Sequence, residues 1–185
     1  TTVSVNPTSG EITALKAGTA TITVTAWSVS DSIEVTVIVP ATGIVITESD
    51  NITLNKGSNK TLTKTVTPSD CTQTVSWTSG DSTKVSVDQT GKIVAEEITS
   101  TPVRITATVG GFSDYVDVTV ILAATGVEID QGSSINVEKD SSTTLTATIT
   151  PSGSTDGVTW SSNNTDVATV NPSTGEATGV ATGTA

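Results

Sequence analysis

The side chains that carry most enzymatic chemistry are scarce in this 185-residue sequence, which has no His, no Met, a single Cys and five aromatic residues. Without His, the Ser-His and Cys-His nucleophile pairings and His-based zinc sites have no members. Cys71 has no second Cys to pair with, and its neighbours Asp70 and Thr72 place it in a turn with nothing nearby to lower a thiol pKa. A solitary, unreactive thiol is expected. Glu96-Glu97 forms an acidic pair in a loop, but no second acidic cluster supplies the facing carboxylate that a glycosidase needs, so it reads as solvated charge. Glu48 with Asp50, and Glu128 with Asp130, are carboxylates that could gather around calcium. Neither pair has the D-x-[DN]-x-[DN]-G spacing of a calcium loop, and surface charge is the expected role. The sequence therefore predicts no enzyme, no cofactor and no metal site. Asn-x-Ser/Thr sequons at Asn51, Asn59 and Asn163 are expected by chance in a chain that is roughly a fifth Thr.

The two acidic pairs occupy matching positions because the whole chain repeats. Trp77 recurs as Trp160, 83 residues later, and Ala41-Thr42-Gly43 recurs as Ala124-Thr125-Gly126. Asp31 before Ile33, Val35 and Val37 returns as Asp114 before Val116, Val118 and Val120. Self-similarity at this period means several units of one small module. The net charge of −11 with only eight basic residues offers no cationic footprint for nucleic acid or anionic lipid. No apolar run approaches the ~20 residues of a membrane-spanning helix, so no direct membrane insertion is expected.

Within the middle repeat the apolar residues alternate at the two-residue period of half-buried strands. Ile44 and Ile46, then Ile52 and Leu54, mark two strands on either side of the turn at Glu48-Ser49-Asp50-Asn51. Leu62 and Val66 lie in one Thr-rich strand with Thr61, Thr63, Thr65 and Thr67 facing outward, closed by Pro68-Ser69-Asp70. Val75 with Trp77, Val85 with Val87, and Ile93 mark further strands. Val103, Ile105 and Ala107 lead to the Gly110-Gly111 turn and a final strand with Val116, Val118, Val120 and Leu122 on one face. No segment carries an apolar stripe at helical period. Seven or more short strands separated by turns predict an all-β, two-sheet sandwich. Trp77 and Trp160 are expected to fill the space between sheets. Trp27 aligns with Gly110 at a turn, where burial is not expected, so it is the candidate exposed contact.

Several stretches resemble the bacterial immunoglobulin-like domain, group 2. They are Val75-Ser76-Trp77-Thr78-Ser79, Val158-Thr159-Trp160-Ser161-Ser162, Val167-Ala168-Thr169-Val170 leading to Gly175, and Gly10 through Val24. Thr67-Pro68 and Thr150-Pro151 after their Thr-rich strands fit the same pattern. The resemblance implies tandem immunoglobulin-like sandwiches. It divides the chain into 1–40, the C-terminal part of a module; 41–123, a complete module; and 124–185, the N-terminal part of a third. The middle repeat departs from the others at Glu96 to Pro102, a loop two residues longer with more charge and no Gly.

The resemblance implies a non-catalytic structural or adhesive stalk, extracellular on a bacterial cell surface, that presents or spaces a binding domain. The expected partners are neighbouring modules of the same polypeptide and a host or bacterial surface protein or glycan. The alternative is decoration of a bacteriophage tail or capsid protein, located on the virion, with weak attachment to surface glycans. The two partial modules have two readings. Either the sequence is a window on a longer array, or one molecule's first residues complete another's last. The two partial repeats share about 19 residues (Thr2 to Ala20 against Val167 to Ala185), which counts against simple complementation.

Overall fold

The computed structural model describes all residues 1–185 and contains strands without helices, falling into two compact units, Thr1–Thr119 and Val120–Ala185. The first unit opens with β1 (Val3–Val5) paired antiparallel to β2 (Ile12–Ala14), followed by a long hairpin of β3 (Gly18–Ala26) and β4 (Val29–Val37). The middle repeat then supplies β5 (Gly43–Ile46), β6 (Asn51–Asn55), β7 (Asn59–Thr61), β8 (Lys64–Thr67), β9 (Ser76–Ser79), β10 (Val85–Val87), β11 (Lys92–Ala95), β12 (Val103–Val109) and β13 (Phe112–Ile121).

Two layers enclose the core of the middle repeat. One is the sheet β6-β13-β12-β9; the other holds β10-β11-β7 beside the pair β5-β8. The alternation read from the sequence is the reason. Val103, Ile105, Ala107 and Val109 of β12, with Val116 and Val118 of β13, turn one face inward and are buried. They meet Leu62, Val85, Ile93 and Ala95 and the ring of Trp77, which is 2% exposed. Each fully buried Val, Ile or Leu contributes roughly 1.5–3 kcal/mol before chain entropy is subtracted. On the outer face of β12 and β13, Arg104 forks onto Asp117 (2.9 and 3.1 Å) and lies 3.6 Å over the Tyr115 ring.

The expected single Thr-rich strand is two strands. β7 pairs with β11 and β8 with β5, so the chain changes partner between Thr61 and Lys64, where the Leu62 N–H turns to the Gly91 carbonyl (2.9 Å). The alternating pattern survives the break because Leu62 and Val66 point inward throughout while Thr61, Thr63, Thr65 and Thr67 stay exposed. Asn51, expected in a turn, begins β6.

The second unit contains β14 (Gly126–Ile129) paired with β16 (Ala147–Thr150), and β15 (Ser142–Thr144), β18 (Glu176–Gly179) and β17 (Ala168–Val170) in the order β15-β18-β17. These match β5, β8, β7, β11 and β10, one layer of the middle sandwich. Residues 134–138 and 159–162, the counterparts of β6 and β9, form no strand. No apolar side chain of residues 121–185 is fully buried, and Trp160 is half-buried where Trp77 is enclosed. The interior position expected for Trp160 is thus only partly realised, because the layer that would cover it is not formed.

The acidic groups tie down turns. Asp81 accepts from the Thr83 N–H and hydroxyl (3.1 and 2.6 Å), and Asp88 from those of Thr90 (2.8 and 2.5 Å). Hydrogen bonds from Thr83 and Thr90 hold these carboxyls below the usual 3.8, as the Arg104 hydrogen bond does for Asp117 and bonds from Thr146 and Thr148 do for Asp130. A carboxyl whose folded pKa is depressed stabilises the fold at pH above its unfolded value, and that contribution is lost as pH falls through the folded value. The chain has no His to titrate at intermediate pH. Scanning calorimetry is therefore expected to give a melting temperature that is flat between about pH 5 and 8 and falls below about pH 4.

Candidate functional site

A hydrogen-bond pattern that recurs in successive repeats lies where the chain enters a module. Val39 follows β4, and both of its backbone polar groups are taken by Thr72. The Val39 N–H donates to the Thr72 hydroxyl (3.0 Å), and the Val39 carbonyl accepts from the Thr72 N–H (3.0 Å) and hydroxyl (3.3 Å). Two residues on, the Ala41 N–H donates to Gln73 Oε1 (2.7 Å), and the Thr42 N–H and hydroxyl both reach the Thr67 carbonyl (2.6 and 3.2 Å).

The second unit repeats this clamp 83 residues later. The Leu122 N–H donates to the Thr155 hydroxyl (3.1 Å), and the Leu122 carbonyl accepts from the Thr155 N–H (2.8 Å) and hydroxyl (3.3 Å). The Ala124 N–H donates to Asp156 Oδ2 (2.7 Å), and Thr125 reaches the Thr150 carbonyl through its N–H and hydroxyl (2.7 and 3.2 Å). Each clamp uses the whole hydrogen-bonding capacity of one entering residue, which leaves the backbone there few alternative conformations. Thr72→Val keeps the side-chain shape and removes the acceptor of the Val39 N–H. The expected cost is about 0.5–1.5 kcal/mol, seen as faster hydrogen exchange at the Val39 amide with the β12–β13 ladder unchanged.

Sequence reasoning found the Ala-Thr-Gly segments but missed their partners. The signal was present: Thr72 and Thr155 sit at the same repeat position, as do Cys71 and Ser154. Ser154 Oγ accepts from the Asp156 N–H (3.1 Å), and Cys71 Sγ takes the corresponding Gln73 N–H (3.4 Å). Cys71 is thus a turn residue in a serine position.

The structure disperses the remaining candidates. Glu48 accepts from the Thr63 N–H at 3.0 Å with both carboxylate oxygens and from its hydroxyl at 2.9 Å, and Asp130 accepts from Thr148 (2.8 Å). Asp50 offers its backbone carbonyl to the Asp117 N–H (2.8 Å), and no three acidic or thiol groups gather in a metal-holding cluster. Glu97 pairs with Lys56 (2.6 Å) and Glu96 accepts from Ser86 (2.8 Å), so the two neighbours look to different strands.

Trp27 lies at the tip of the β3–β4 hairpin, fully exposed at 102%, with φ of 56°. A bulky side chain in the left-handed region is a genuine outlier, since only Gly takes that conformation without steric cost. The middle repeat has Gly110 there, also at φ 56°. A Cβ on Gly110 would run into the Gln73 amide oxygen and stand 3.2 Å from Ala41 Cβ. In the second unit Ala124 and Asp156 stand at the repeat positions of Ala41 and Gln73, and a cavity of about 360 Å³ there is lined by Ala124, Gly126, Val127, Ile149, Gly157, Val158 and Thr159.

Comparison with known proteins gives the clamped modules a context. The profile of the bacterial Ig-like domain (group 2) matches residues 40–118 and again 123–185. Among curated proteins, a lacto-N-biosidase of Bifidobacterium bifidum is 38% identical over 95 residues, which are 49% of this chain and 8% of that protein. Among solved structures, a bacterial Ig-like domain containing GH10 xylanase from termite gut is 26% identical over 41% of this chain and 20% of the other, with a TM-score of 0.34. The S-layer protein SbsC is 24% identical over 70% of this chain and 20% of the other, with a TM-score of 0.41. The chain spans less than a tenth of the curated relative and a fifth of each of these structures.

Proposed function

Because this chain belongs to the bacterial Ig-like domain (group 2) family, we propose that it is a non-catalytic, extracellular spacer on a bacterial surface, in which clamped modules hold a binding or catalytic domain of a longer polypeptide at a set distance. The observation that carries this reading is the repeated clamp. A passive tether needs no fixed backbone between modules, and a Gly/Ser-rich sequence would serve it. Here Thr72 and Thr155 each take both polar groups of the entering residue, at the same position in successive repeats. The acidic surface, with net charge −11, adds solubility and repulsion between neighbouring chains. The related segment of the lacto-N-biosidase supports the reading from another side: 8% of that protein resembles these modules, as befits a part that accompanies other domains.

The role is tested by displaying a reporter binding domain on a bacterial surface through this chain, then through a Gly/Ser linker of equal residue number. The spacer reading predicts greater capture of a large immobilised target with the native segment, and equal capture of a small soluble target with either. Equal capture of the large target would contradict it, as would turnover of a glycan by the chain alone.

A further inference from the structure

Strand β9 of the complete middle module is an edge strand without the usual protection, and we infer that the Gln89 side chain is a latch that closes this edge against pairing with β9 of a second copy of the chain. β9 ends the sheet β6-β13-β12-β9, so one side of it meets β12 and the other meets no strand of its own sheet. Unpaired N–H and C=O groups at such an edge invite a further strand, and soluble proteins guard them with charge, Pro or a cover. Two other edge strands follow that rule with charge: β6 runs into Lys56, and β10 begins directly after Lys84. From Val75 to Gly80 there is neither charge nor Pro.

Side chains supply the cover instead. Trp77 stands opposite Ala107 of β12, yet its backbone polar groups turn to Gln89. The Trp77 N–H donates to Gln89 Oε1, and Gln89 Nε2 donates to the Trp77 carbonyl, both at 3.1 Å. One amide group thus gives the edge the acceptor and the donor that a neighbouring strand would give. Two residues on, the Ser79 hydroxyl donates to the Val85 carbonyl of β10 (2.6 Å), so side chains and not a ladder hold the seam between the two layers.

The turn that carries Gln89 is fixed and belongs to this module alone. Asp88 Oδ1 accepts from the Thr90 N–H (2.8 Å) and the Lys92 N–H (3.1 Å), and the Asp88 N–H donates to the Lys92 carbonyl (3.0 Å). The corresponding turns of the other repeats read Asn6-Pro7-Thr8-Ser9-Gly10 and Asn171-Pro172-Ser173-Thr174-Gly175, one residue longer and with Pro in the place of Gln89. Pro has no side-chain amide, and the Trp160 N–H is met there by the Pro172 main-chain carbonyl (3.0 Å). Gln89 is itself exposed, so truncating it opens the edge without emptying the core.

The groups that Gln89 holds also define what it excludes. Two β9 strands meeting antiparallel, with Trp77 opposite Trp77, would exchange N–H···O bonds at that residue, and an uncharged strand meets its own copy without like charges in opposition. Ser76 of one chain then faces Thr78 of the other in a non-hydrogen-bonded pair, about 4.5 Å apart at Cα and within disulfide reach. Both residues are exposed.

The test uses two full chains, both with Cys71→Ser, one carrying Ser76→Cys and the other Thr78→Cys. They are mixed under mild oxidation in about 0.5 M salt, which screens the net charge of −11. With Gln89 in place little cross-linked pair is expected; with Gln89→Ala in both chains the yield should rise about tenfold, the effect of releasing one or two neutral hydrogen bonds. Gln89→Glu keeps the acceptor for the Trp77 N–H and loses the donor, so it is expected to fall between the two. Circular dichroism shows which variants keep the fold. Equal cross-linking with and without Gln89 would overturn the proposal, as would no added cross-linking in a variant that remains folded. So would equal yield from Thr78→Cys chains alone, whose cysteines stand two residues out of register. Loss of the fold in both variants would make Gln89 a support of the core and not a latch.

Discussion

Trp77→Ala is expected to destabilise the middle module by about 3–5 kcal/mol, the range for emptying a buried indole site. Trp77 is 2% exposed, and its backbone N–H and carbonyl are both held by the Gln89 amide (3.1 Å each). The ring is the largest body in a core otherwise built from Val, Ile, Leu and Ala, so no neighbour can expand to fill the space. A small domain has only about 5–15 kcal/mol in total, so the variant approaches the threshold of folding. Trp160→Ala is expected to cost clearly less, because that ring is only half-buried. Chemical denaturation of the two variants, followed by circular dichroism, checks both the magnitude and the order.

Gly91→Ala comes next, at about 2–4 kcal/mol. Gly91 turns the chain between β10 and β11 at φ 88°, where a side chain already costs about 1–2 kcal/mol. An added Cβ would also stand 2.9 Å from Trp77 Cζ2 and 3.0 Å from the Leu62 carbonyl oxygen, closer than carbon atoms pack. The ring must move, or the Leu62 N–H to Gly91 carbonyl bond that carries the chain from β7 to β8 must stretch. Gly111→Ala separates the two contributions. Gly111 has φ 89° with nothing within 4 Å of an added Cβ, so it loses only the backbone part. Equal destabilisation of the two variants would show that the Trp77 contact contributes nothing.

The same Trp–Gly contact explains what was legible in the sequence. Period-two alternation placed the β12 and β13 faces because one buried face admits a single register. The place of Trp77 and the Gly91 turn followed from residue type, a large ring for the interior and a Gly for the turn, whereas the interior place expected for Trp160 is only half realised. What escaped was polar and non-local. The Thr-rich run looked like one strand because alternation persists through the change of partner at Leu62, and only the hydrogen-bond ladder reveals the break. The clamp escaped because a Thr in a turn is unremarkable until its hydroxyl is seen on Val39, 33 residues away. Trp27 was legible as a turn residue, but its left-handed backbone appeared only with the structure.

The claim that the entering chain is fixed to its module is tested most directly by the distance between spin labels at Thr23 on β3 and Thr53 on β6, in a Cys71→Ser background diluted with unlabelled chain. Both sites are exposed and lie within the first unit, on either side of the Val39–Thr72 clamp. Pulsed electron resonance is predicted to give one narrow distance distribution, which broadens in Thr72→Val. A distribution already broad with Thr72 in place would contradict the account, because the segment would then be a flexible tether.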